Sequence, residues 1–369
     1  MPFDILVINP GATSTKIAAF HDDAPVFQEL APHGVDSLEG YASLLDQIPY
    51  RRELILRALE RNGMDGKSFD AVVGRGGLLA PVRGGVYEVS RRLMDDAGSF
   101  KYGEHASNLG PILAGDFAAV SGCKAYVVDP VSTDEWAPVA RMSGLSGMDR
   151  VCHFHALNHK AVARLVASEM GRGYEEVAFI VAHLGTGVSV GAHVNGRVVD
   201  VYDAMNEGTF SIDRAGGVPA LSLIDECYSG KHTREEMLRA VNGNGGVFSY
   251  LGTKDMREIE EREASGDKFA RKVVAAFAYQ IAKDIGSMAA VCKGKVDRVI
   301  ITGGLANYGR LVELLTSYVS FIAPVKILPG EEEMSALASG ALRVLRGEET
   351  ALNYIGEIEN TLRSAIKSL

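Results

Sequence analysis

The chain has 369 residues, 47% of them hydrophobic and 23% charged, which is ordinary composition for a soluble protein and enough chain for two domains with cores of their own. A formal net charge of −9 argues against broad binding to nucleic acid or to anionic membranes, so any phosphate site must be built locally. Four cysteines, Cys123, Cys152, Cys227 and Cys292, form no C-x-x-C pair, which gives no sign of a zinc knuckle or dithiol motif and fits a reducing cytoplasm, and the sequence offers neither a signal peptide nor a membrane span.

The first predicted element is strand, glycine turn, strand. Ile5, Leu6, Val7 and Ile8 are a short apolar run, Asn9, Pro10 and Gly11 turn the chain, and Thr13, Ser14, Thr15 and Lys16 bring hydroxyls, backbone N–H groups and a cation to the turn. Such a turn can hold phosphate oxygens, although it is neither a Walker A loop nor a G-x-G-x-x-G turn. Residues 39 to 62 carry Tyr41, Leu44, Leu45, Ile48, Leu54, Ile55 and Leu59 in a mostly helical pattern that Pro49 interrupts. Ala71 to Gly77 is a buried strand running into glycines, and Arg75 and Arg83 are the first arginines on such loops. Lys124 to Asp129 is another apolar strand, ending in a carboxylate placed to hold Mg²⁺ through water or to cap a helix.

His153, His155 and His159 fall within seven residues just ahead of a predicted helix from Lys160 to Met170. No neighbouring acid or thiolate completes a zinc set, so phosphate contact at a helix entrance is preferred to metal binding. From Phe179 the first motif recurs: an apolar strand, the turn His183, Leu184, Gly185, Thr186, Gly187, and a second strand, followed by an Asn195-Gly196 hairpin. Two such hairpins, each opening about half of the chain, predict a duplicated domain with ligand clasped between the copies. Glu207 and Gly208 lead to Arg214, a third loop cation beside Gly216 and Gly217. Phe269, Val273, Phe277, Ile281 and Ile285 form a buried stripe on an alanine-rich helix. Arg298 to Gly304 is a strand ending in Gly303-Gly304, where a flat ligand such as a nucleoside could approach the backbone, and a strand from Val325 to Leu328 precedes Glu331, Glu332 and Glu333, which open a helix and could reach a metal.

Seven motifs in order, Ile8-Asn-Pro-Gly, Val72-Val-Gly-Arg-Gly-Gly77, Phe154-His-Ala-Leu-Asn-His159, His183-Leu-Gly-Thr-Gly187, Glu207-Gly with Arg214-Ala-Gly, Thr302-Gly-Gly304 and Glu332-Glu-Met-Ser-Ala336, resemble those of the acetate and butyrate kinase family across nearly the whole chain. The butyrate branch is the nearer: acetate kinases carry Asn-Cys-Gly-Ser-Ser-Ser where this chain has Asn9-Pro-Gly-Ala-Thr-Ser14, and Thr-Pro-Leu where it has Ala204-Met-Asn206. The resemblance implies an α/β fold of two duplicated actin-like ATPase (RNase H-like) domains with a cleft between them, here residues 1–150 and 151–345, with a carboxy-terminal helix over about 346–369 packing back on the first.

It also implies roles. Asn9, Gly11, Ser14 and Lys16 match the first phosphate hairpin, and His183, Gly185, Thr186 and Gly187 the second, with Gly303 and Gly304 also at the nucleotide. His155 matches the histidine near the transferred phosphoryl group and Arg214 its clamp arginine. Arg75 or Arg83 would be the second active-site arginine. Asp129, with Glu332 or Glu333, matches the catalytic and Mg²⁺ carboxylates, and Phe154 and Met205 fall at the acid's pocket. The implied reaction moves phosphate between ATP and a short-chain carboxylate, giving ADP and an acyl phosphate, in a cytoplasmic homo-oligomer. An acetate or propionate kinase, a hydroxyl-directed kinase of the same superfamily, and an ATP-driven switch are the alternatives.

Overall fold

The structure, a computed structural model, describes residues 2–33, 38, 40–64, 68–203 and 205–359. The chain forms two compact units, one made of Met1–Asp134 with Glu332–Leu369 and the other of Glu135–Glu331. The first transition falls earlier than position 150 for a local reason. The Asp134 amide still bonds the Val82 carbonyl of unit 1, whereas the Glu135 carboxylate is buried against Lys160 of unit 2. The return at Glu332 places the following helix in unit 1, ahead of position 346. Residues 354–359 of the expected carboxy-terminal helix are helical, and the remainder, 360–369, lies outside the described residues.

Unit 1 contains β1 (Asp4–Pro10), β2 (Ser14–His21), β3 (Ala24–Pro32), β4 (Ala71–Arg75), β5 (Val86–Glu88) and β6 (Lys124–Val128), in the order β3-β2-β1-β4-β6-β5. β1, β2 and β3 are antiparallel neighbours, while β4 and β6 continue the sheet parallel to β1. Helices Ile48–Arg61 and Leu109–Ser121 supply Ile55, Leu59, Leu113 and Phe117 to the core beneath Leu6, Ile8 and Val72, and helix Glu333–Leu345 packs on β1, β4 and β6. A sheet covered on both faces needs apolar residues at consecutive positions, which is why Ile5 to Ile8 are all buried.

Unit 2 contains β7 (Ala178–Leu184), β8 (Val188–Val194), β9 (Arg197–Asp203), β10 (Arg298–Gly303) and β11 (Val325–Pro329), ordered β11-β10-β7-β8-β9. The connectivity repeats that of unit 1: three antiparallel strands joined by hairpins, then parallel strands added beside the first. Helix Lys268–Val291 buries Val273, Phe277, Ile281 and Ile285 against this sheet. Phe269, assigned to the same stripe, is exposed because Ala270 takes the inward position at the helix start.

Three local expectations change. The segment before residue 45 is not helical where described, and Pro49 opens helix Ile48–Arg61 in its first turn, where a missing N–H costs nothing. The helix after the histidines runs Ala156–Glu169, so His155 is its N-cap and His159 lies inside it. β3, β5 and helices Arg91–Ser99 and Leu109–Ser121 carry no strong sequence signal, β3 because it exposes most of its side chains and Leu109–Ser121 because it is apolar on nearly every face.

Close packing of backbone on backbone fixes Arg75. A Cβ added to Gly110 would stand 2.2 Å from the Arg75 carbonyl oxygen, and one added to Gly74 would stand 2.2 Å from that of Gly110, so β4 and helix Leu109–Ser121 meet with no side chain between them. Gly110→Ala is therefore expected to destabilise the protein by about 1–3 kcal/mol, the usual range for overpacking, with a lower denaturant midpoint. An unchanged midpoint would show that this contact does not hold β4 in place.

Candidate active site

In unit 1 the β1–β2 turn closes through the Gly11 amide on the Ser14 carbonyl, 2.8 Å. A Cβ at residue 11 would lie 3.1 Å from that oxygen, so the turn favours glycine. At the strand ends behind it, one carboxylate gathers three donors: Glu333, in the first turn of helix Glu333–Leu345, accepts from Asn9 Nδ2 at 2.8 Å and Lys16 Nζ at 3.2 Å, and Arg75 Nη1 lies 3.2 Å from its other oxygen. Arg75 is buried at the end of β4, whereas Arg83 is exposed and paired with Glu357. Of the two loop arginines, the structure joins Arg75 to the hairpin. Asp129, just past β6, is 1% exposed with φ +38°. Its carboxylate accepts from the Gly85 amide at 2.8 Å, and its own amide donates to the Gly85 carbonyl. Glu332 is exposed, its carboxylate 3.4 Å from the Ser335 hydroxyl.

In unit 2 the β7–β8 turn is the centre. A Cβ at Gly187 would stand 2.5 Å from Arg214 Nη1, so the guanidinium lies directly on the turn and a side chain there would displace it. Among the described residues, the Arg214 side chain makes no ion pair or hydrogen bond. A Cβ at Gly185 would stand 3.2 Å from His183 Nε2 and 3.3 Å from a Glu331 oxygen. Gly303, at φ +92°, ends β10 against the Leu184 backbone, where a Cβ would come within 2.5 Å. Beside Gly304 a recess is lined by Ile212, Lys254, Asp255, Met256, Arg257, Glu260, Leu305, Asn307 and Tyr308.

The histidines are organised by Asn158. Its buried side-chain carbonyl accepts from His183 Nδ1 at 2.9 Å, and its backbone N–H donates to His155 Nδ1 at 3.4 Å. The rings of His155 and His183 are 4.6 Å apart. The acid missing from the sequence around these residues is Glu331, 3.2 Å from His183 Nε2, and ligand atoms of His155, His183 and Glu331 lie within 4.8 Å of one another. His155 Nδ1 is the helix-cap acceptor and His183 Nδ1 faces the Asn158 carbonyl, so as neutral rings His155 would present an Nε2 proton and His183 an Nε2 lone pair beside Glu331. His159 is fully buried, bonded to His193 and Ser189, and burial with its histidine neighbours pushes its pKa well down, so it is a neutral core group.

Phe154 is buried with Trp136, Cys152, Val198 and Val201, edge-on to His159, whereas Met205 is exposed, its amide donating to Asp203 at 2.7 Å. Ala204 lies outside the described residues. The loop is secured from below by groups that sequence reasoning missed. Arg150 forks onto Glu207 with bonds of 2.7 to 2.9 Å, bonds Asp200 at 3.0 Å and lies over the Trp136 ring. Asp284 accepts from the Thr209 amide at 2.6 Å, and burial pushes its carboxyl pKa up to about 6.

Comparison with known proteins accords with this geometry. Residues 146–324 match the acetokinase family. Butyrate kinase 2 of Clostridium acetobutylicum is 46% identical over 355 residues, spanning 96% of this chain and all of that protein. Acetate kinase from Porphyromonas gingivalis has a similar structure, with a TM-score of 0.75 at 19% identity over 93% of this chain and all of that one. A propionate kinase from Francisella tularensis gives 0.71 at 16% identity over 92% and 98%. The fold is that of the actin-like ATPases, present here as two units whose sheets share a five-strand order, to which unit 1 adds the antiparallel edge strand β5. The chain belongs to the acetokinase family.

The support beneath the Glu207 loop carries a pH dependence. Because the folded state holds the Asp284 proton more tightly than the unfolded chain, whose aspartates titrate near 3.9, stability attributable to this group falls as pH rises from about 4 to about 6. Asp284→Asn, which keeps an acceptor for the Thr209 amide, is expected to raise stability at pH 8 by about 1–2 kcal/mol and to change it little at pH 4. Equal stability changes at both pH values would show that Asp284 is ordinarily ionised in the fold.

Proposed function

We propose that this protein is a short-chain fatty acid kinase of the butyrate kinase type, transferring the γ-phosphoryl group of ATP to a carboxylate oxygen of butyrate or a branched neighbour such as isobutyrate, reversibly. The observation that carries the reading is Arg214, a guanidinium laid on the Gly187 turn with no acid of its own among the described residues. A cation in that state is a receptor for an anion.

The acid arrives ionised, so its oxygen needs no general base. That oxygen attacks the γ-phosphorus while the bond to the β-phosphate oxygen breaks and its electrons leave with ADP. The protein's task is to offset charge as three anionic groups meet. In unit 2, Arg214 and the Nε2 proton of His155 would face the transferring group with His183 beside them, the Gly185 to Gly187 turn would admit phosphate oxygens, and the recess at Gly304 would take the nucleoside. In unit 1, the Gly11 turn with Asn9, Ser14 and Lys16 would be a phosphate hairpin of its own, with Arg75 beside it as the candidate second arginine.

Mg²⁺ would be held by few protein groups, as suits an ion that keeps most of its waters. Asp129 at a strand end and the exposed Glu332 fit that need better than Glu333, whose carboxylate already gathers Asn9, Lys16 and Arg75. When bound, the ion neutralises phosphate charge. Met205 would give the acid's tail an adaptable wall, with Phe154 backing it. The helices Ala220–Cys227 and Arg234–Val241 bury none of their own residues and expose Leu221, Ile224 and Leu238, a face suited to a second copy in a homo-oligomer. Four unpaired cysteines agree with a reducing cytoplasm, and no helix among the described residues is long and apolar enough to cross a membrane.

Hydroxylamine trapping across acids of increasing length tests the reaction. Butyrate and isobutyrate should give hydroxamate with higher kcat/KM than acetate at fixed Mg²⁺-ATP. No hydroxamate with any acid removes the reading, and a severalfold acetate preference removes the butyrate assignment alone. Arg214→Ala should fold normally and lose roughly two orders of magnitude or more in turnover, as expected for a donor to transition-state charge. Near-normal turnover would take Arg214 out of the site.

A further inference from the structure

Arg51, in helix Ile48–Arg61, has 0% exposure and stands directly behind the Gly11–Ser14 turn. Its Nη1 donates to the Gly11 carbonyl and to Thr15 Oγ1, both at 3.0 Å, and its Nε and Nη2 donate to Gln47 Oε1 at 3.2 and 2.8 Å. Every acceptor is neutral. Buried arginines ordinarily carry a carboxylate partner, because an isolated charge in the interior is costly. Among the described residues none is present here, and the ring nearest to Thr15, His33, is held below its ordinary pKa by burial and by Arg51 itself. Burial likewise pushes the Arg51 guanidinium down, to about 10, which still leaves it fully charged at neutral pH. Gln47 occupies the place where a glutamate of the same shape would neutralise the arginine at i+4.

We propose that Arg51 is a positioning residue for the anion site of unit 1: it holds the β1–β2 turn in its receiving shape and gives it a positive charge that no acid among the described residues pairs and that a bound phosphate group would offset. The inference rests on the reading of that turn as a phosphate hairpin. The cost of burying the charge alone would be retained in the free protein and relieved on binding, so folded stability and anion affinity should respond in opposite directions when a counter-charge is supplied.

Gln47→Glu supplies it while conserving shape and all four hydrogen bonds. This variant should have a higher thermal midpoint than the unmodified protein without ligand, yet bind Mg²⁺-ATP and inorganic phosphate on the order of tenfold more weakly by calorimetry, with KM for Mg²⁺-ATP rising in parallel. Arg51→Lys should retain more affinity than Arg51→Met. If Gln47→Glu is more stable and binds both anions as well as the unmodified protein, the role of Arg51 is structural and the proposal fails. It fails too if the unmodified protein binds neither anion. Because calorimetry needs no turnover, absence of hydroxamate in the acid assay would reject the kinase reading while leaving the anion comparison to decide Arg51.

Discussion

An arginine with no acid beside it among the described residues is the interaction on which this site turns. Guanidinium groups stay charged at neutral pH and are usually satisfied by carboxylates, so leaving one without a counter-charge has to be enforced by the surrounding fold. Arg214 is placed so by the glycine it covers, and Arg51 by a glutamine, a hydroxyl and a backbone carbonyl. Arg75 is the contrasting case, with Glu333 also drawing in Asn9 and Lys16. The first two carry free charge toward glycine turns. The third ties a turn, a strand end and a helix start into one fixed group.

Glycine is the other half of the arrangement. At Gly187 and Gly303 a methyl group would overlap a guanidinium or a neighbouring strand, and at Gly110 it would strike a carbonyl oxygen. These positions bring backbone N–H groups and strand ends close together at the carboxyl edge of each sheet, where a doubly covered α/β sheet leaves its loops open to ligand. The same device in both units follows from their common strand order.

What could be read from the chain was what is local. The hairpins at Asn9–Ser14 and His183–Gly187 show themselves as apolar runs broken by glycine, and the repeat of that pattern is enough to suggest duplication. Groups that act across long sequence separations were hidden. Arg51 lies in a helix with Arg52, Arg57 and Arg61, where it reads as one more solvent-facing cation, and only the packed structure shows that it points inward. Glu331 meets His183 from the far end of unit 2, and Arg150 and Asp284 reach the Glu207 loop from separate elements. Arg75 and Arg83 likewise look alike in the sequence as arginines beside glycine, and only their pairing, with Glu333 and with Glu357, joins the first of them to the Asn9 hairpin.

The central claim is that a carboxylate oxygen is the nucleophile and that cations, without a base, suffice to move the phosphoryl group onto it. Butyrate labelled with ¹⁸O at both oxygens, incubated with Mg²⁺-ATP and followed by ³¹P NMR, tests this most directly. The account predicts an acyl phosphate whose phosphorus carries one ¹⁸O at the bridging position, formed in step with ADP. ADP accumulating while no phosphorus signal bears the isotope would contradict it.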